Sequence, residues 1–600
     1  NNLNVIMKKI FVVMALILAI MTAGVQAQNA NRLKLAQTFL QNSDFKNAEK
    51  IFAALYAEKP SDENIFWGYS QSLYAQNKFS ELLPITDAQL KLKPSLPIYC
   101  LNAEVNWKLG KQQEAVVAWE KATKLKPKDS LTYAVVAKSM HNVTAFDNAI
   151  ATLLAGRKAL RKPAIYADVL SDLYMISGNN FKAADEILVY YTNTEDLRRT
   201  QGKLQAILTS DEIKDYLRPK ILDLYRNGPH PNIELYGWFL VLTKEYDAAL
   251  QCYIEKDKRT EAHGAFLYPF ATAREREGNF DIALKAYAEL IDMGKVTPYM
   301  VNALFGYTRT LEKKNEAFGD ISRKDYDEII DRYRNIVKLY SKNSVATEAM
   351  FRIAAIQADK LHNLPEAIKE YENIRQVSKN QQIALTATNK LGDIYFELDS
   401  VARAKEYYQI VANSNNGSAV DARDYAKYAL GEMCYFDGEL DSATAVFTEL
   451  SANTESVMAN DALEKIFFIE QNKNQNKAIR LYASAEKFER QKKYALAIDS
   501  YNQAKEFGDD EIRERSMLHI ADIYKAQLNF AEQRRVLKEF LEQLPESIFV
   551  DDVMFELAES LYASKDYDAA MKVYTKLLTD FPRSIYTEQV RQRIREIRAA

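Results

Sequence analysis

The feature that most constrains this chain is a beat. Four short phrases, Asp44-Phe45-Lys-Asn-Ala48, Lys78-Phe79-Ser-Glu-Leu82, Gln112-Gln113-Glu114-Ala115 and Ala145-Phe146-Asp-Asn-Ala149, end at positions 48, 82, 115 and 149, at intervals of 34, 33 and 34. Pro60, Pro94 and Pro127 keep the same time. Later copies are Asn180-Phe181, Glu245-Tyr246-Asp-Ala-Ala249, Asn279-Phe280-Asp-Ile-Ala283, Lys493-Tyr494-Ala-Leu-Ala497 and Asp566-Tyr567-Asp-Ala-Ala570. A unit of this size cannot bury its own apolar face, so copies must stack. Each phrase is expected to open the second helix of a helix–turn–helix pair. The small residue lets two helices approach, the aromatic fills the gap to the next pair, and the proline, lacking an amide donor, ends the helix. Composition points the same way: Gly (18) and Pro (14) are scarce among 600 residues, and the 36 tyrosines are assigned to inter-helix positions.

The 34-residue beat, the small residue, the aromatic four positions later and the closing proline resemble the tetratricopeptide repeat. One copy runs Tyr99-Cys-Leu-Asn-Ala103-Glu-Val-Asn-Trp-Lys-Leu-Gly110 and continues through Ala115, Trp119, Ala122 and Pro127; it departs from the pattern at Asn102 and Asn106. The first copy carries Ala36, Phe39, Ala48, Phe52 and Pro60. The resemblance implies an all-α fold, an α-α superhelical solenoid of stacked helix–turn–helix repeats. Residues 28–190 read as a regular amino-terminal array. Residues 191–322 read as degenerate and regular repeats with a linker, including the helix-breaking Asn227-Gly-Pro-His-Pro231 and an irregular connection over 293–323. Residues 323–600 read as a long-period array with starts at Tyr326, Leu364, Val401, Leu440, Tyr494, Phe530 and Tyr567; the 54-residue step after Leu440 implies a degenerate copy near Lys477. Leu544-Pro-Glu-Ser-Ile548 and Phe581-Pro-Arg-Ser-Ile585 are similar to openings in repeats of bacterial envelope proteins, including outer-membrane assembly lipoproteins and Tol-Pal-associated periplasmic proteins. That similarity is a hint about compartment.

The amino terminus reads as a targeting signal. Met7-Lys8-Lys9 is a basic start, Ile10 to Ala23 an apolar run too short to span a bilayer, and Val25-Gln26-Ala27 a small-x-small cleavage site. Residues 1–6 read as an over-extended start. Cleavage after Ala27 and export to the periplasm or cell envelope are expected, an uncleaved anchor being the alternative. Cys100, Cys252 and Cys434 lie in separate repeats, with no metal-type or redox-type spacing, and are expected to remain free thiols.

Chemistry is hard to find. The five histidines, His141, His230, His263, His362 and His519, show no ligand-type pairing, and no zincin, phosphate-loop or nucleophile-elbow motif occurs. Acidic residues read as solvated helix faces and helix starts. No catalytic activity, no cofactor and no metal site are expected. A formal net charge of −3 offers no global attraction for nucleic acid. Arg583, Arg591, Arg593, Arg595 and Arg598 read as the polar cap of a terminal helix, with a contact to acidic partners or lipid headgroups at the envelope as the alternative.

What remains is a binding surface. The resemblance implies that ligands lie along the first helices of successive pairs, which points Trp67, Gln71, Tyr74, Glu104, Trp107, Lys138 and His141 into one groove. The alternative for Trp67 and Trp107 is packing against the adjacent pair. The expected function is a non-catalytic scaffold or adaptor of the bacterial cell envelope that binds a protein partner. The rivals are a chaperone-like assembly factor for envelope proteins and an accessory subunit of a cell-wall enzyme.

Overall fold

The computed structural model describes residues 29–227, 232–319, 321–415, 417 and 419–599. The expected leader, His230 and most of the 227–231 breaker lie outside them. The chain divides into two compact units, Asn1–Lys256 and Asp257–Ala600. Each unit is all-α, an α-solenoid of antiparallel helix pairs in which each pair packs on the next.

The beat lands where the sequence placed it. Phe45, Phe79, Gln112, Phe146, Asn180, Phe280, Val401, Leu440, Tyr494, Phe530 and Tyr567 are each the first residue of a helix. The helices Phe45–Glu58, Phe79–Leu92 and Gln112–Leu125 all stop two residues before Pro60, Pro94 and Pro127. Two residues before each second helix the backbone turns left-handed, with φ of 60° at Ser43, 57° at Asn77, 77° at Gly110 and 61° at Thr144. Side-chain caps help begin helices: Asp44 accepts from the Asn47 amide, and Asp62 from those of Asn64 and Ile65. The aromatic four residues after the small one is buried as expected, including Phe52, Trp119, Tyr287, Tyr371, Tyr408, Tyr501 and Tyr574. Phe52 fits so closely against the next pair that a Cβ on Gly68 would sit 2.2 Å from its ring.

Three stretches depart from the regular beat. Where the pattern fades after 190, the helices Leu197–Ile207 and Asp211–Asn227 continue the array, buried through Leu204, Ile207, Leu217 and Ile221. Their apolar residues recur at helical spacing without the aromatic and alanine that marked other copies. Residues 293–323 are not an irregular connection: Met300–Phe318 is a 19-residue helix packed on Phe280–Asp292. The following helix, Arg323–Leu339, starts three residues before Tyr326, at a capping box between Ser322 and Asp325. Finally, Lys477 belongs to no separate degenerate copy. A single extra helix, Ala459–Asn472, packs on Leu440–Ser451, and Asn476–Arg490 then resumes the array by pairing with Tyr494–Phe507 and touching Val420–Phe436.

The second unit carries an internal polar ladder. A buried tyrosine of the second helix donates to an acid of its own first helix: Tyr287 to Glu275 (3.0 Å), Tyr333 to Glu312 (3.0 Å), Tyr501 to Glu489 (2.6 Å), and Tyr574 to Glu559. The first helix of the next pair supplies the counter-base, Arg309, Arg352, His519 and Arg593 respectively. At Asp393 both Tyr408 (2.6 Å) and Tyr425 (2.8 Å) donate, and Arg490 reaches in from beyond the inserted helix while also gripping Glu432.

Candidate functional site

The first helices of the amino-terminal unit present the candidate residues. Trp67, Gln71 and Tyr74 lie at i, i+4 and i+7 on Glu63–Ala75, one face of a helix. With Ser70, Ala75, Leu101 and Glu104 they line a groove of about 360 Å³ between that helix and Leu96–Lys108. Trp67 remains 37% exposed, its ring edge-on to the buried Phe66 at 4.9 Å. Tyr74 donates to Glu104 at 3.1 Å, and Asn142 donates to the other oxygen of Glu104 at 3.3 Å. Burial raises the Glu104 carboxyl above its ordinary range despite the opposing hydrogen bonds. The same burial, with Glu104 alongside, pushes the Tyr74 hydroxyl well up. The groove is therefore mostly apolar on its walls, with Ser70, Gln71 and the Glu104 carboxyl as polar groups beside the Tyr74 hydroxyl.

Lys138 and His141 line a second groove, of about 270 Å³, with Tyr166, Val169, Asp172 and Ile176. Trp107 lines neither. It occupies the repeat position of Tyr74 and His141, so its different setting has a local cause. Five residues after Tyr74 and His141 stand Phe79 and Phe146, which brace those rings edge-on at 5.3 and 5.5 Å. Five residues after Trp107 stands Gln112, and the Trp107 indole leans instead on Trp119, 5.6 Å away. Trp119 is buried and donates to Ser139 at 2.9 Å, which in turn donates to the Cys100 carbonyl. The predicted set thus separates into one groove with Trp67, Gln71, Tyr74 and Glu104, a second with Lys138 and His141, and a packed tryptophan pair.

Asn102 and Asn106 hold buried places where an apolar residue is usual. Asn102 donates to Thr86 (2.9 Å) and Asp87 (2.7 Å), and Asn106 donates back to Asn102. A satisfied amide pair stands in for apolar contact there. The three cysteines are free thiols; burial raises Cys100 to about 12 and Cys252 to about 11, which makes both poor nucleophiles. Among the described residues no group of three His, Cys, Asp or Glu side chains could hold a metal ion, and no helix is long and apolar enough to cross a membrane. Three of the five carboxyl-terminal arginines form ion pairs, Arg593 with Glu559 of the preceding repeat and with Glu596, and Arg591 and Arg595 with Glu588. The ladder acids do not stand out in the sequence, where acids on such helices read as solvated. The available signal is an acid 12 or 15 residues before the repeat tyrosine, or 21 at Glu312 and Tyr333.

No curated protein matches the chain. Two solved structures align over most of it. A chain of the Naa15/Naa10 complex bound to HypK-THB is 14% identical, with 96% of this chain and 97% of that one covered and a TM-score of 0.30. A chain of the APC/C hetero-tetramer Cut9-Hcn1 is 15% identical, with 88% and 96% covered and a TM-score of 0.26. Two segments match family models of the tetratricopeptide repeat, residues 96–129 and 552–584. These coincide with the helix pairs Leu96–Lys108 with Gln112–Leu125 and Val550–Ala563 with Tyr567–Asp580. The chain carries tetratricopeptide repeats in both of its compact units.

Proposed function

We propose that this chain is a non-catalytic scaffold or adaptor of the bacterial cell envelope, and that its amino-terminal unit holds a segment of a partner protein. The observation that carries the reading is the groove at Trp67: a large aromatic left open to solvent beside Tyr74 and a half-buried acid. Large aromatics at a pocket edge are the usual anchors of protein recognition, because they bury much area at small entropic cost. The Glu104 carboxylate, already holding the Tyr74 hydroxyl, favours a partner side chain that is bulky, apolar and tipped with a donor. The envelope assignment is supported by the leader-like pattern over residues 7–27 and by the two Pro-x-Ser-Ile openings at 545–548 and 582–585.

The test is capture from a membrane-and-periplasm extract of the native host, with wild type and Trp67→Ala as paired baits. A specific protein retained by wild type and lost by a folded Trp67→Ala variant supports the reading. Equal retention by both baits removes the groove from the account.

A further inference from the structure

The second unit is built of helix pairs, and one interior helix has no mate among the described residues. Val420–Phe436 pairs with Leu440–Ser451, and Asn476–Arg490 with Tyr494–Phe507. Ala459–Asn472 stands between them, packed on Leu440–Ser451, and the helix after it belongs to the next pair. Its inner face buries Ala462, Phe468, Ile469 and Asn472. Its outer face stays open: Asn460, Leu463, Phe467 and Glu470, at helical spacing, are all exposed. Leu463 is 39% and Phe467 62% exposed, and they stand side by side, four residues apart. Val457, in the turn that leads into the helix, is 58% exposed. An aliphatic and an aromatic residue at this spacing make the ridge against which a second helix packs.

The chain around this face is acidic. Residues 437–473 hold eight acidic residues against Lys465 and Lys473, a net charge of −6. The two lysines do little for the open face, since Lys465 turns inward onto Glu486 at 2.7 Å and Lys473 is taken by Glu470. Glu449 and Glu464 are paired with Lys427 and Arg515, whereas the exposed Glu439, Asp441, Glu455 and Asp461 form no ion pair among the described residues. That charge chooses between occupants. A second copy of the chain would set −6 against −6, and an anionic lipid surface would be repelled in the same way.

We propose that the open face of Ala459–Asn472 takes a basic amphipathic helix from a partner protein, which completes the pair that this helix begins. Apolar residues at i and i+3 or i+4 of the incoming helix cover Leu463 and Phe467. Lysines or arginines flanking them meet Glu455 and Asp461 at the start of the helix and Glu439 and Asp441 of the neighbouring one. The surface lies in the second unit and is independent of the Trp67 groove.

Fluorescence anisotropy with the full chain tests this, using a labelled Leu/Lys peptide of about 14 residues with its leucines on one helical face, a Leu/Glu counterpart, and a Lys/Ser peptide of the same charge as the first. The Leu/Lys peptide is expected to bind saturably, and each of the other two at least about tenfold more weakly. Phe467 is exposed, so Phe467→Ser keeps the fold by circular dichroism, and it is expected to weaken the Leu/Lys peptide by about tenfold, while Phe467→Leu retains it. Leu463→Ser gives the same reading on a second residue. Glu455→Lys combined with Asp461→Lys is expected to weaken the peptide by about the same factor and to flatten its salt dependence. Trp67→Ala should leave the affinity unchanged. Absence of saturable binding, equal binding of the Lys/Ser peptide, unchanged affinity in both serine variants, or a loss in Trp67→Ala overturns the assignment. A dimer in sedimentation velocity that Phe467→Ser abolishes overturns it too, because the occupant is then a second copy.

Discussion

Arg309 grips Glu275 through two parallel hydrogen bonds, Nε to Oε1 at 2.7 Å and Nη2 to Oε2 at 2.8 Å, across 34 residues of sequence. The pair ties one repeat to the next. Glu275 is almost fully buried, its side chain 1% exposed, and also accepts from Tyr287 and Lys313. Burial alone would raise this carboxyl, but the hydrogen bonds from Arg309 and Lys313 outweigh it and hold it below the ordinary range. The same motif recurs at Glu312, Glu489 and Glu559, so the second unit is pinned between pairs by charge as well as by apolar contact.

Glu275→Ala leaves a cavity and an unpartnered Tyr287 hydroxyl, while Arg309 and Lys313, 34% and 44% exposed, can turn to water. The cavity and the lost hydrogen bond together cost about 2–3 kcal/mol. Urea unfolding of the full chain should show that loss, whereas Lys314→Ala, which breaks only the exposed pair with Asp281, should cost about 0–1 kcal/mol. A Glu275→Ala cost as small as the Lys314 one would mean that the ladder adds little.

The ladder also marks the limit of what the sequence disclosed. Phe45, Phe79, Tyr494 and Tyr567 could be placed at helix starts because an aromatic and, three residues on, an alanine or leucine recur at a fixed distance, a signal written in residue type. The helix Met300–Phe318 carries no such pair at the expected place, only apolar residues at helical spacing, and so read as a connection. Glu275 and Glu312 looked like any acid on a solvated helix, since their partners lie 34 and 40 residues away. Trp107 was misplaced for a smaller reason: one neighbour, Gln112 in place of phenylalanine, changes which ring it leans on. Residue type at a repeat position fixes backbone placement better than it fixes where a side chain turns.

The two tryptophans should therefore part company on truncation. Trp67→Ala removes a half-open ring and is expected to leave melting nearly unchanged, while costing partner affinity about 2 kcal/mol or more, about 30-fold. Trp107→Ala leaves a hole against Trp119 and is expected to lower stability by about 3 kcal/mol. Thermal melts and capture assays on the two variants check both halves, and the reverse assignment of effects would show Trp67 to be the packing residue.

Leu528 offers a gain. It holds the left-handed turn position before the helix Phe530–Gln543, with φ of 55°, yet it is 74% exposed and has little packing to lose. A non-glycine residue in this conformation costs about 1–2 kcal/mol. Gly110, Gly178, Gly278 and Gly438 fill the equivalent position in other repeats. Leu528→Gly is expected to raise the unfolding free energy by about 1 kcal/mol, and Gly438→Ala to lower it by a similar amount. A loss on Leu528→Gly would show that the leucine serves some contact worth more than the strain.

The proposed export leads to a chemical prediction. Amino-terminal sequencing of protein from the native host should begin at Gln28. Mass spectrometry under non-reducing conditions should find Cys100, Cys252 and Cys434 all as free thiols, with Cys100 and Cys252 alkylated only after denaturation. A start at Met7 with pelleting in the membrane fraction would favour the anchor instead.

The one ladder rung built on histidine should make the second unit sensitive to pH. His519 Nδ1 meets Glu489 at 3.0 Å, and its ring stacks on Tyr501 at 5.0 Å and stands edge-on to Tyr482. Glu486 and Lys465 line one hollow with it, and Asp522 lies on its own helix. Burial alone would lower the imidazole, but the hydrogen bond and charge of Glu489, joined by Glu486, outweigh it, so its pKa is raised above the ordinary 6.5. A raised folded-state pKa stabilises fully below the unfolded value and loses that contribution as pH rises through the folded value. Glu489 runs oppositely: burial alone would raise it, yet His519 and Tyr501 hold it below its ordinary 4.5, and its contribution fades as pH falls through the folded value. Stability of the rung is therefore greatest between the two, and decreases from about neutral pH upward. Urea midpoints across about pH 5 to 9 should show this decline in wild type. His519→Gln should flatten it, whereas His519→Arg, which copies the other rungs, should carry low-pH stability into the alkaline range. A decline that persists unchanged in His519→Arg would assign it to another group.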